Sequence, residues 1–402
     1  MQRREFLGSF ALPAAALASG VTLAPDALAH VATFAADART PAEIARDEDA
    51  WLGVQQAFTV DRALLNLNNG GICPAPAVVQ NAVKRYLDHA HTSPAYVLWR
   101  LQEPQRDAVR AGLARVFGAD PEEIAITRNA SESLENVQQG LELERGDEVL
   151  TTTQDYPRML TTWRQLERRR GIVLRTIQIP VPCDDPAEVV RRFAAALTPK
   201  TRVIHVCHVV NITGQIMPVK ELAALAHAHG CVLVVDGAHS FGHLDFKHAD
   251  LGCDYYGTSL HKYLFAPHGT GMLFVRKEHI AKTWPLFAAE PKLDADIRKF
   301  EEIGTHALAN VLAIADAIAF HEGIGAARKE ARLLYLRDTW ARRLAAHPRV
   351  QLNTSLAPGR ASGVANFRIE GIEPGKLFEH HAYIRAHGRD MPEIRDWVWK
   401  PR

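Results

Sequence analysis

Short apolar runs alternate with helical segments through the middle of this sequence, and this alternation constrains the fold more than any other feature. Segments 131–140 and 160–170 space their apolar residues three and four apart, as amphipathic helices do. The predicted strands are mainly apolar and β-branched: 124–127, 148–151, 173–177, 203–209, 232–235 and 271–275. Apolar strands that alternate with helices are typical of a parallel sheet covered on both faces. The sequence therefore predicts an α/β fold with a mostly parallel sheet flanked by helices.

The flanking regions have a more helical pattern. Residues 76–118 precede the sheet, and the chain is mainly helical from 291, with strong periodicity in 309–320 and 327–345. A weak strand is predicted near 364–369. We therefore expect three structural regions after a leader: an N-terminal arm with part of a small domain (30–69), a large domain (70–290) and a smaller α+β domain (291–402).

Composition favours a small-molecule partner. The 402 residues are 47% hydrophobic and carry a formal net charge of +1, which leaves no broad basic face for nucleic acid. The five cysteines have no CxxC spacing and lie mostly in apolar runs. We predict free, buried thiols rather than a disulfide framework or a metal site.

The first 29 residues have the pattern of an export signal. Arg3-Arg4-Glu5-Phe6-Leu7 precedes a modestly apolar run, 8–24, and the small-residue site Ala27-Leu28-Ala29. That run contains Pro13 and is shorter than the roughly 20 residues that a membrane-spanning helix needs. The pattern predicts a twin-arginine signal peptide over 1–29. We expect the twin-arginine export machinery to deliver the folded protein to the periplasm or the medium.

Polar residues follow several predicted strands. Ligands of parallel sheets bind at the carboxyl ends of the strands, so these residues are candidates for a site. They are Asn129, Tyr156, Asn211, Asp236 and Lys262. Asp236 is either a turn residue or a counter-ion for a protonated heterocyclic nitrogen. Tyr156 is either an ordinary packed tyrosine or a ring that stacks on a planar ligand.

Lys262 ends a stretch, 255–261, that is too aromatic and too rich in small residues for a solvated face. Its amine is either at the surface above a buried stem or partly buried. Burial disfavours the ammonium and leaves a nucleophilic amine that can form an imine. Near the other candidates, Asn129 and Glu132 have the spacing of a capping box, and the free amides of such a helix start suit a phosphate.

The dense histidines between 205 and 268 raise the alternative of a zinc hydrolase. None of them forms an HExxH motif, and no carboxylate has the spacing to complete a metal site. His227 and His229 are two apart on a predicted helix and so face different ways. We predict no metal.

Taken together, the order of these motifs resembles the class V aminotransferase family from Leu65 to Ile384. The most specific part is Asp236-Gly237-Ala238-His239 followed by Ser259-Leu260-His261-Lys262, with Asn211 upstream and 301–305 downstream. Segments 309–314 and 320–325 are most similar to the isopenicillin N epimerase-like branch. The resemblance implies the pyridoxal 5'-phosphate (PLP)-dependent transferase fold with a seven-stranded type of sheet, and residues 70–290 as the PLP-binding domain.

The resemblance also implies roles around the cofactor ring. Lys262 would hold PLP as a Schiff base and later move protons at the substrate α-carbon. Asp236 would keep the ring nitrogen protonated. His239 and Asn211 would contact the ring hydroxyl, and Tyr156 has the position of the family's stacking group.

Other residues would bind the cofactor phosphate. In one chain these are Ala130, Ser131, Ser259 and His261. Thr305, with Gly304, would reach the phosphate of the neighbouring subunit. The resemblance thus implies a homodimer with shared active sites.

The end of the sequence departs from the family. Desulfurases of this family use a cysteine on a late mobile loop, and no cysteine follows Cys253 here, so typical desulfurase activity is not expected. Residues 390–399 do not match the expected final strand and helix, and we interpret this end as atypical or truncated. Arg385, Arg389 and Arg395 are candidates for binding a substrate carboxylate.

We therefore expect a PLP-dependent enzyme acting at the α-carbon of an amino acid or small peptide, either epimerase-like or an aminotransferase. One alternative is a catalytically silent exported binding protein that keeps the cofactor pocket. The other is a PLP-dependent C–S lyase.

Overall fold

The computed structural model describes residues 34, 37–61, 66 and 68–373. The predicted signal peptide, 1–29, lies outside these residues. So do the candidate carboxylate-binding residues Arg385, Arg389 and Arg395 and the atypical segment 390–399.

A seven-stranded sheet forms the centre of the structure. Its strands are β1 (Ile124–Thr127), β2 (Glu148–Thr152), β3 (Val173–Ile177), β4 (Thr201–Cys207), β5 (Val232–Asp236), β6 (Tyr255–Ser259) and β7 (Gly271–Val275). The spatial order is β1-β7-β6-β5-β4-β2-β3. Only β7 runs against its neighbours, and the pairs from β6 to β3 are all parallel. A separate antiparallel pair joins β8 (Val350–Leu352) and β9 (Phe367–Ile369).

Helices surround the sheet. The α-helices are Pro41–Ile44, Glu48–Gln56, Ala77–Thr92, Pro94–Tyr96, Arg106–Phe117, Ala130–Gly140, Pro157–Arg170, Pro186–Ala196, Val219–Ala228, His248–Leu251, Lys277–Ile280, Leu308–Leu312, Ile314–Ile324 and Ala326–Ala345. A π-helix spans Val97–Gln102, and 3₁₀ turns span Glu103–Gln105, Pro121–Glu123, Pro291–Leu293 and Ile297–Glu301. No single helix of the described chain is both long and apolar enough to cross a membrane; Leu308–Ile324 and Ala326–Ala345 meet that test only as a pair bent by 74°.

Both faces of the sheet are buried. Successive residues of β5 alternate between two apolar clusters: Leu233 and Val235 pack in the larger one, and Val234 packs in the other. The same alternation places Tyr256 and Tyr255 of β6 on opposite faces. The structure therefore confirms the predicted α/β fold with a mostly parallel, doubly covered sheet.

The differences from the sequence prediction are local. Strand β6 was not predicted, because Tyr-Tyr-Gly-Thr-Ser lacks the branched apolar residues of the other strands, although every residue in it is buried. Strand β4 lies two residues earlier than predicted and ends at Cys207. The helical region 76–118 is interrupted at Ser93. The helix that was expected to carry both His227 and His229 ends at Ala228, so that assignment was wrong for His229.

A buried carboxylate attaches the segment before Thr305 to the edge of the sheet. Glu301 is buried and accepts a hydrogen bond from the Ile126 N–H of β1 at 2.6 Å. It also forms ion pairs with Arg106 and Arg110, and Arg110 donates to the Ile124 carbonyl at 2.6 Å. These paired charges fix the start of the 301–305 motif against β1.

Candidate active site

A cavity of about 220 Å³ lies where the parallel strands end. Residues that follow β2, β4, β5 and β6 form its walls, together with the start of the helix Ala130–Gly140. The lining residues are Gly71, Asn129, Ala130, Ser131, Leu134, Tyr156, Met159, Cys207, Val209, Asn211, Asp236, Ala238, His239, Ser259, His261 and Lys262. Every residue predicted to contact the cofactor, apart from Thr305 and its neighbour Gly304, therefore lines one cavity.

Lys262 lies in a tight loop after β6. We call residues 260–266 the Lys262 loop; its Ala266 N–H donates to the Leu260 carbonyl at 3.1 Å, and its Phe265 N–H donates to the Lys262 carbonyl at 3.2 Å. The Lys262 Nζ lies 3.1 Å from His239 Nε2. Burial lowers the pKa of Lys262, although the nearby Asp236 carboxylate opposes this. The amine is thus partly buried, and its neutral, nucleophilic form is favoured more than in water.

Asp236 is the last residue of β5 and is buried. Its Oδ1 accepts a hydrogen bond from the Ala238 N–H at 2.9 Å. Burial raises the pKa of Asp236 to about 6 despite this bond and the Lys262 charge. A cationic group of a ligand in contact with the carboxylate would hold it ionised.

Gly237 allows the chain to turn directly after Asp236. A Cβ at this position would lie 1.9 Å from Cζ of Tyr256, so no side chain fits there. Tyr256 is itself fixed by a 2.8 Å hydrogen bond with the Ser240 hydroxyl. Close packing between β5 and β6 therefore requires glycine beside the carboxylate.

Two buried polar atoms of the cavity residues have no hydrogen-bond partner among the described residues. They are Nδ1 of His239 and Oδ1 of Asn211. Burial lowers the pKa of His239 to about 3, so its ring is neutral. An unpaired buried polar atom is costly, and a ligand hydroxyl can donate to one of these atoms and accept from the other. The two atoms therefore fit the ring hydroxyl of PLP.

The start of the helix Ala130–Gly140 forms another wall. Asn129 Oδ1 accepts from the Glu132 N–H at 2.9 Å, as predicted for an N-cap. The reciprocal bond of a capping box was wrongly predicted, because the Glu132 carboxylate accepts from the Arg128 N–H and guanidinium instead. The Ser131 hydroxyl has no hydrogen bond within the described residues.

Two further side chains make this wall suitable for a phosphate. Ser259 Oγ accepts from the Ala130 N–H at 2.9 Å, which brings its hydroxyl to the helix N-terminus. His261 Nδ1 lies 3.2 Å from the Thr270 carbonyl, which leaves its Nε2 for a ligand. Helix amides, hydroxyls and an imidazole are suitable donors for a phosphate group. The predicted phosphate residues thus have the chemistry expected of them.

Tyr156 and Lys262 lie on opposite walls of the cavity. Tyr156 follows β2 and Lys262 follows β6, with β4 and β5 between them. Three strand spacings of about 4.8 Å separate the two strands. The Tyr156 side chain is 41% exposed and has no hydrogen bond within the described part of the chain. Its ring is therefore free to stack on a planar ligand.

Sequence reasoning missed Cys207 as a cavity residue. It ends β4 and pairs in register with Asp236, so it lies in the floor of the cavity. The predicted strand extended to Val209, so Cys207 was not recognised as the residue that ends the strand. Burial and two neighbouring carboxylates, Asp155 and Asp236, raise the pKa of its thiol well above the usual value.

Thr305 lies outside the cavity. It lines a separate cleft of about 310 Å³ with Trp99, Arg106, Glu301 and Gly304 among its other residues. A contact between Thr305 and the phosphate of a neighbouring subunit remains a prediction. Elsewhere, no three His, Cys, Asp or Glu side chains in the described ranges form a group that could hold a metal ion.

The fold and the cavity define a class of protein. A seven-stranded, mostly parallel sheet ends in a partly buried lysine, a buried carboxylate and a helix N-terminus, which suit the aldehyde, the ring nitrogen and the phosphate of PLP. This is the arrangement of a PLP-dependent enzyme of the aminotransferase fold.

Comparisons with known proteins agree. Residues 66–382 match the class V aminotransferase family. The isopenicillin N epimerase of Streptomyces clavuligerus is 32% identical over 366 residues, covering 87% of this chain and 88% of that protein. A probable cysteine desulfurase of Halalkalibacterium halodurans is 27% identical, covering 77% of this chain and 79% of that protein. The chain belongs to the class V aminotransferase family, and PLP is its cofactor.

The fold has also been solved in relatives of lower identity. A structure of a C-DES variant with glycine covalently linked to the PLP cofactor matches with a TM-score of 0.71 at 24% identity. The match covers 79% of this chain and 86% of that one. It supports the fold assignment.

The titration of Asp236 leads to a prediction for cofactor binding. A protonated ring nitrogen would lower the pKa of Asp236 from its value of about 6. Affinity for PLP is therefore expected to be highest above pH 6. Below pH 6 the affinity should fall, because Asp236 must then lose a proton when PLP binds. Asp236→Asn should weaken PLP binding at pH 8 by about tenfold to a hundredfold, as expected for a lost bond to a charged group. Absorbance titration of the apoprotein measures this.

Asp254→Asn is the matched control. Asp254 is also buried, but it lies before β6 at the opposite end of the sheet, where it accepts from the Leu233 N–H at 2.8 Å. Its substitution should leave PLP affinity within about twofold of wild type. Equal PLP affinity of Asp236→Asn and wild type at pH 8 would rule out the counter-ion role.

Proposed function

We propose that this protein epimerises the α-carbon of an amino acid or small peptide. The observation that carries the proposal is the pair of proton-bearing groups on opposite walls of the cavity, Lys262 and Tyr156. Inversion at a carbon requires a proton to leave one face and another to arrive on the opposite face. The 32% identity to an isopenicillin N epimerase over most of both chains supports the same reaction.

When bound, PLP would supply electron withdrawal from the α-carbon of the substrate amino acid, which would make the α-proton acidic. The Lys262 amine takes this proton as the C–H bond breaks. The Tyr156 hydroxyl then gives its proton to the opposite face, where the new C–H bond forms. Water returns a proton to the phenolate and removes one from the ammonium. In the reverse direction the two residues exchange roles.

The remaining cavity residues orient the cofactor. Asp236 keeps a positive charge on the ring nitrogen, and His239 and Asn211 hold the ring hydroxyl. Ala130, Ser131, Ser259 and His261 bind the phosphate. These are the roles that the family resemblance implies.

The buried thiols disfavour cysteine desulfuration. All five cysteines of the sequence are free and buried. Burial raises the pKa of Cys207, Cys253 and Cys73, and a thiol that resists ionisation is a poor nucleophile. None of them has the exposure that a persulfide-forming cysteine needs.

An exchange experiment in heavy water tests the epimerase proposal. Isopenicillin N and a panel of L- and D-amino acids are incubated with the holoenzyme, and deuterium uptake and configuration are followed by NMR and chiral chromatography. Wild type should exchange and invert at least one substrate. Tyr156→Phe should keep exchange but invert about 100-fold more slowly or worse, the usual loss for a missing general acid.

Two controls make the outcome specific. Lys262→Ala should lose both exchange and inversion, and Tyr335→Phe, in a helix outside the cavity, should behave as wild type. Exchange by wild type without inversion of any substrate would contradict epimerisation. Inversion by Tyr156→Phe at the wild-type rate would contradict the role of Tyr156.

We further propose that two copies share their active sites through Thr305. The cleft that Thr305 lines also contains Trp99, which is 62% exposed, and the nearby Tyr96 is exposed as well. Exposed aromatic side chains of this kind are enriched in protein interfaces. A partner subunit on this surface would place its own cofactor cavity close to Thr305, which lies outside the cavity of the chain that carries it.

Sedimentation and cofactor titration test the shared site. The holoenzyme should sediment as a dimer of the 44.5 kDa chain, less any cleaved signal. Thr305→Ala should weaken PLP binding severalfold, because a phosphate hydrogen bond is lost, whereas Thr161→Ala, at an exposed position of the helix Pro157–Arg170, should not. A monomer that binds PLP with full affinity would contradict the proposal.

We also propose export in folded form through the twin-arginine pathway. Replacing Arg3 and Arg4 with lysine should retain the protein in the cytoplasm, because the pathway reads the arginine pair. Cell fractionation with immunoblotting measures the distribution, and Arg46→Lys serves as a control downstream. Undiminished export of the double-lysine variant would show that the signal assignment is wrong.

A further inference from the structure

A second lysine, Lys329, is buried behind the Lys262 loop. It lies near the start of the helix Ala326–Ala345 and is 3% exposed. Its Nζ donates a hydrogen bond to the Tyr263 carbonyl at 2.6 Å. The same Nζ lies 4.5 Å from the centroid of the Phe265 ring. Both partners belong to the Lys262 loop, and Tyr263 directly follows the cofactor lysine.

This position is unfavourable for a cation. Burial lowers the pKa of Lys329 to about 7. No carboxylate within the described residues forms an ion pair with it, and the N-terminal end of a helix repels positive charge. A buried amine without a paired anion costs free energy that an apolar side chain would not. Such local conflicts are expected where a side chain serves the function of the site.

The loop that Lys329 contacts is strained. Phe265 has a φ of 65°, the only positive φ of a non-glycine residue in the described chain. A bulky residue with a positive φ is strained, so the surrounding structure must hold it in place. Lys329 contacts this residue through the ring and Tyr263 through the carbonyl. The Lys329 amine thus contacts both Tyr263 and Phe265 of the Lys262 loop.

His243 supports the same loop from another side. Its ring stacks on the Tyr263 ring with centroids 4.0 Å apart. Its Nδ1 donates to the His239 carbonyl at 2.9 Å, and its Nε2 accepts from the Gly363 N–H at 2.9 Å. Both nitrogens are used, so the neutral tautomer is fixed. Tyr263 is therefore held at its carbonyl by Lys329 and at its ring by His243.

We infer that Lys329 is a positioning residue for Lys262: by holding Tyr263 and Phe265, it keeps the strained Lys262 loop in the conformation that presents the Lys262 amine to the cofactor. The inference goes beyond epimerisation, because any reaction at Lys262 needs the same placement. It rests on Lys262 as the lysine that binds PLP. It also links the helix Ala326–Ala345, which packs outside the large sheet, to the active site.

The test compares Lys329→Met with Lys299→Met. Lys299 is a matched control because it is also buried and donates only to backbone carbonyls, those of Ile280 and Asp294 at 2.7 Å each, which do not line the cavity. Three properties are measured: PLP affinity of the apoprotein, the pH midpoint of the absorbance change of bound PLP, and the melting temperature. Lys329→Met should bind PLP at least tenfold more weakly and shift the absorbance midpoint. Lys299→Met should change neither, whatever it does to the melting temperature.

The outcomes separate this inference from the wider proposal. If Lys329→Met melts at a lower temperature but keeps the wild-type PLP affinity and absorbance midpoint, Lys329 is merely structural and the inference is wrong. If Lys329→Met does not fold, Lys329→Gln, which keeps a shorter neutral donor, is judged by the same two criteria. A wild-type protein without PLP absorbance would overturn the cofactor site and this inference together. Loss of epimerisation alone, with PLP binding intact, bears only on the proposed reaction.

Discussion

The site depends on buried polar groups at the carboxyl ends of the strands whose hydrogen bonds are incomplete within the described residues. The buried Asp236 carboxylate accepts one hydrogen bond, from a backbone N–H, and the buried atoms His239 Nδ1 and Asn211 Oδ1 have no partner within the described part of the chain. Folded proteins rarely leave such groups unpaired, because each one costs free energy. A ligand with a cationic nitrogen beside a hydroxyl supplies the missing partners. The protein therefore has a built-in preference for PLP, and cofactor binding is expected to stabilise the fold by mass action.

The sheet order explains how distant residues meet. Adjacent strands β6, β5 and β4 end at Ser259, Asp236 and Cys207, and the chain continues from β6 into the Lys262 loop. Antiparallel β7 returns beside β6, where a Cβ on Gly271 would lie 2.6 Å from the Asn129 Cα. This close approach brings the start of the helix Ala130–Gly140 against the end of β6. The supports of the site lie further out: Glu301 fixes the segment before Thr305, and Lys329 and His243 hold the Lys262 loop.

Much of this could be predicted from the sequence, and the reasons for the failures are physical. Apolar strands such as 124–127 and 271–275 were predicted with their correct bounds, because burial on both faces leaves a clear composition. Strand β6 was missed because its small and aromatic residues are selected by packing against β5 and β7. The residues that line the cavity could be predicted because they directly follow strands or match a family motif. Lys329 and His243 have no such signal, since their partners are backbone groups or side chains far away in the sequence. Glu301 belongs to the family motif 301–305, but its ion pairs with Arg106 and Arg110 were not predicted because these partners lie far away in the sequence.

The central claim is that Lys262 is the lysine that binds PLP, and a single labelling measurement tests it. Lys299 and Lys329 are buried, but neither lines the cavity. Borohydride reduction of the holoenzyme makes the bond between PLP and its lysine permanent, and peptide mass spectrometry then locates the added mass. The added mass should lie on Lys262, in the peptide that contains His261 and Tyr263. Modification of Lys329 or another lysine, with Lys262 unmodified, would contradict it.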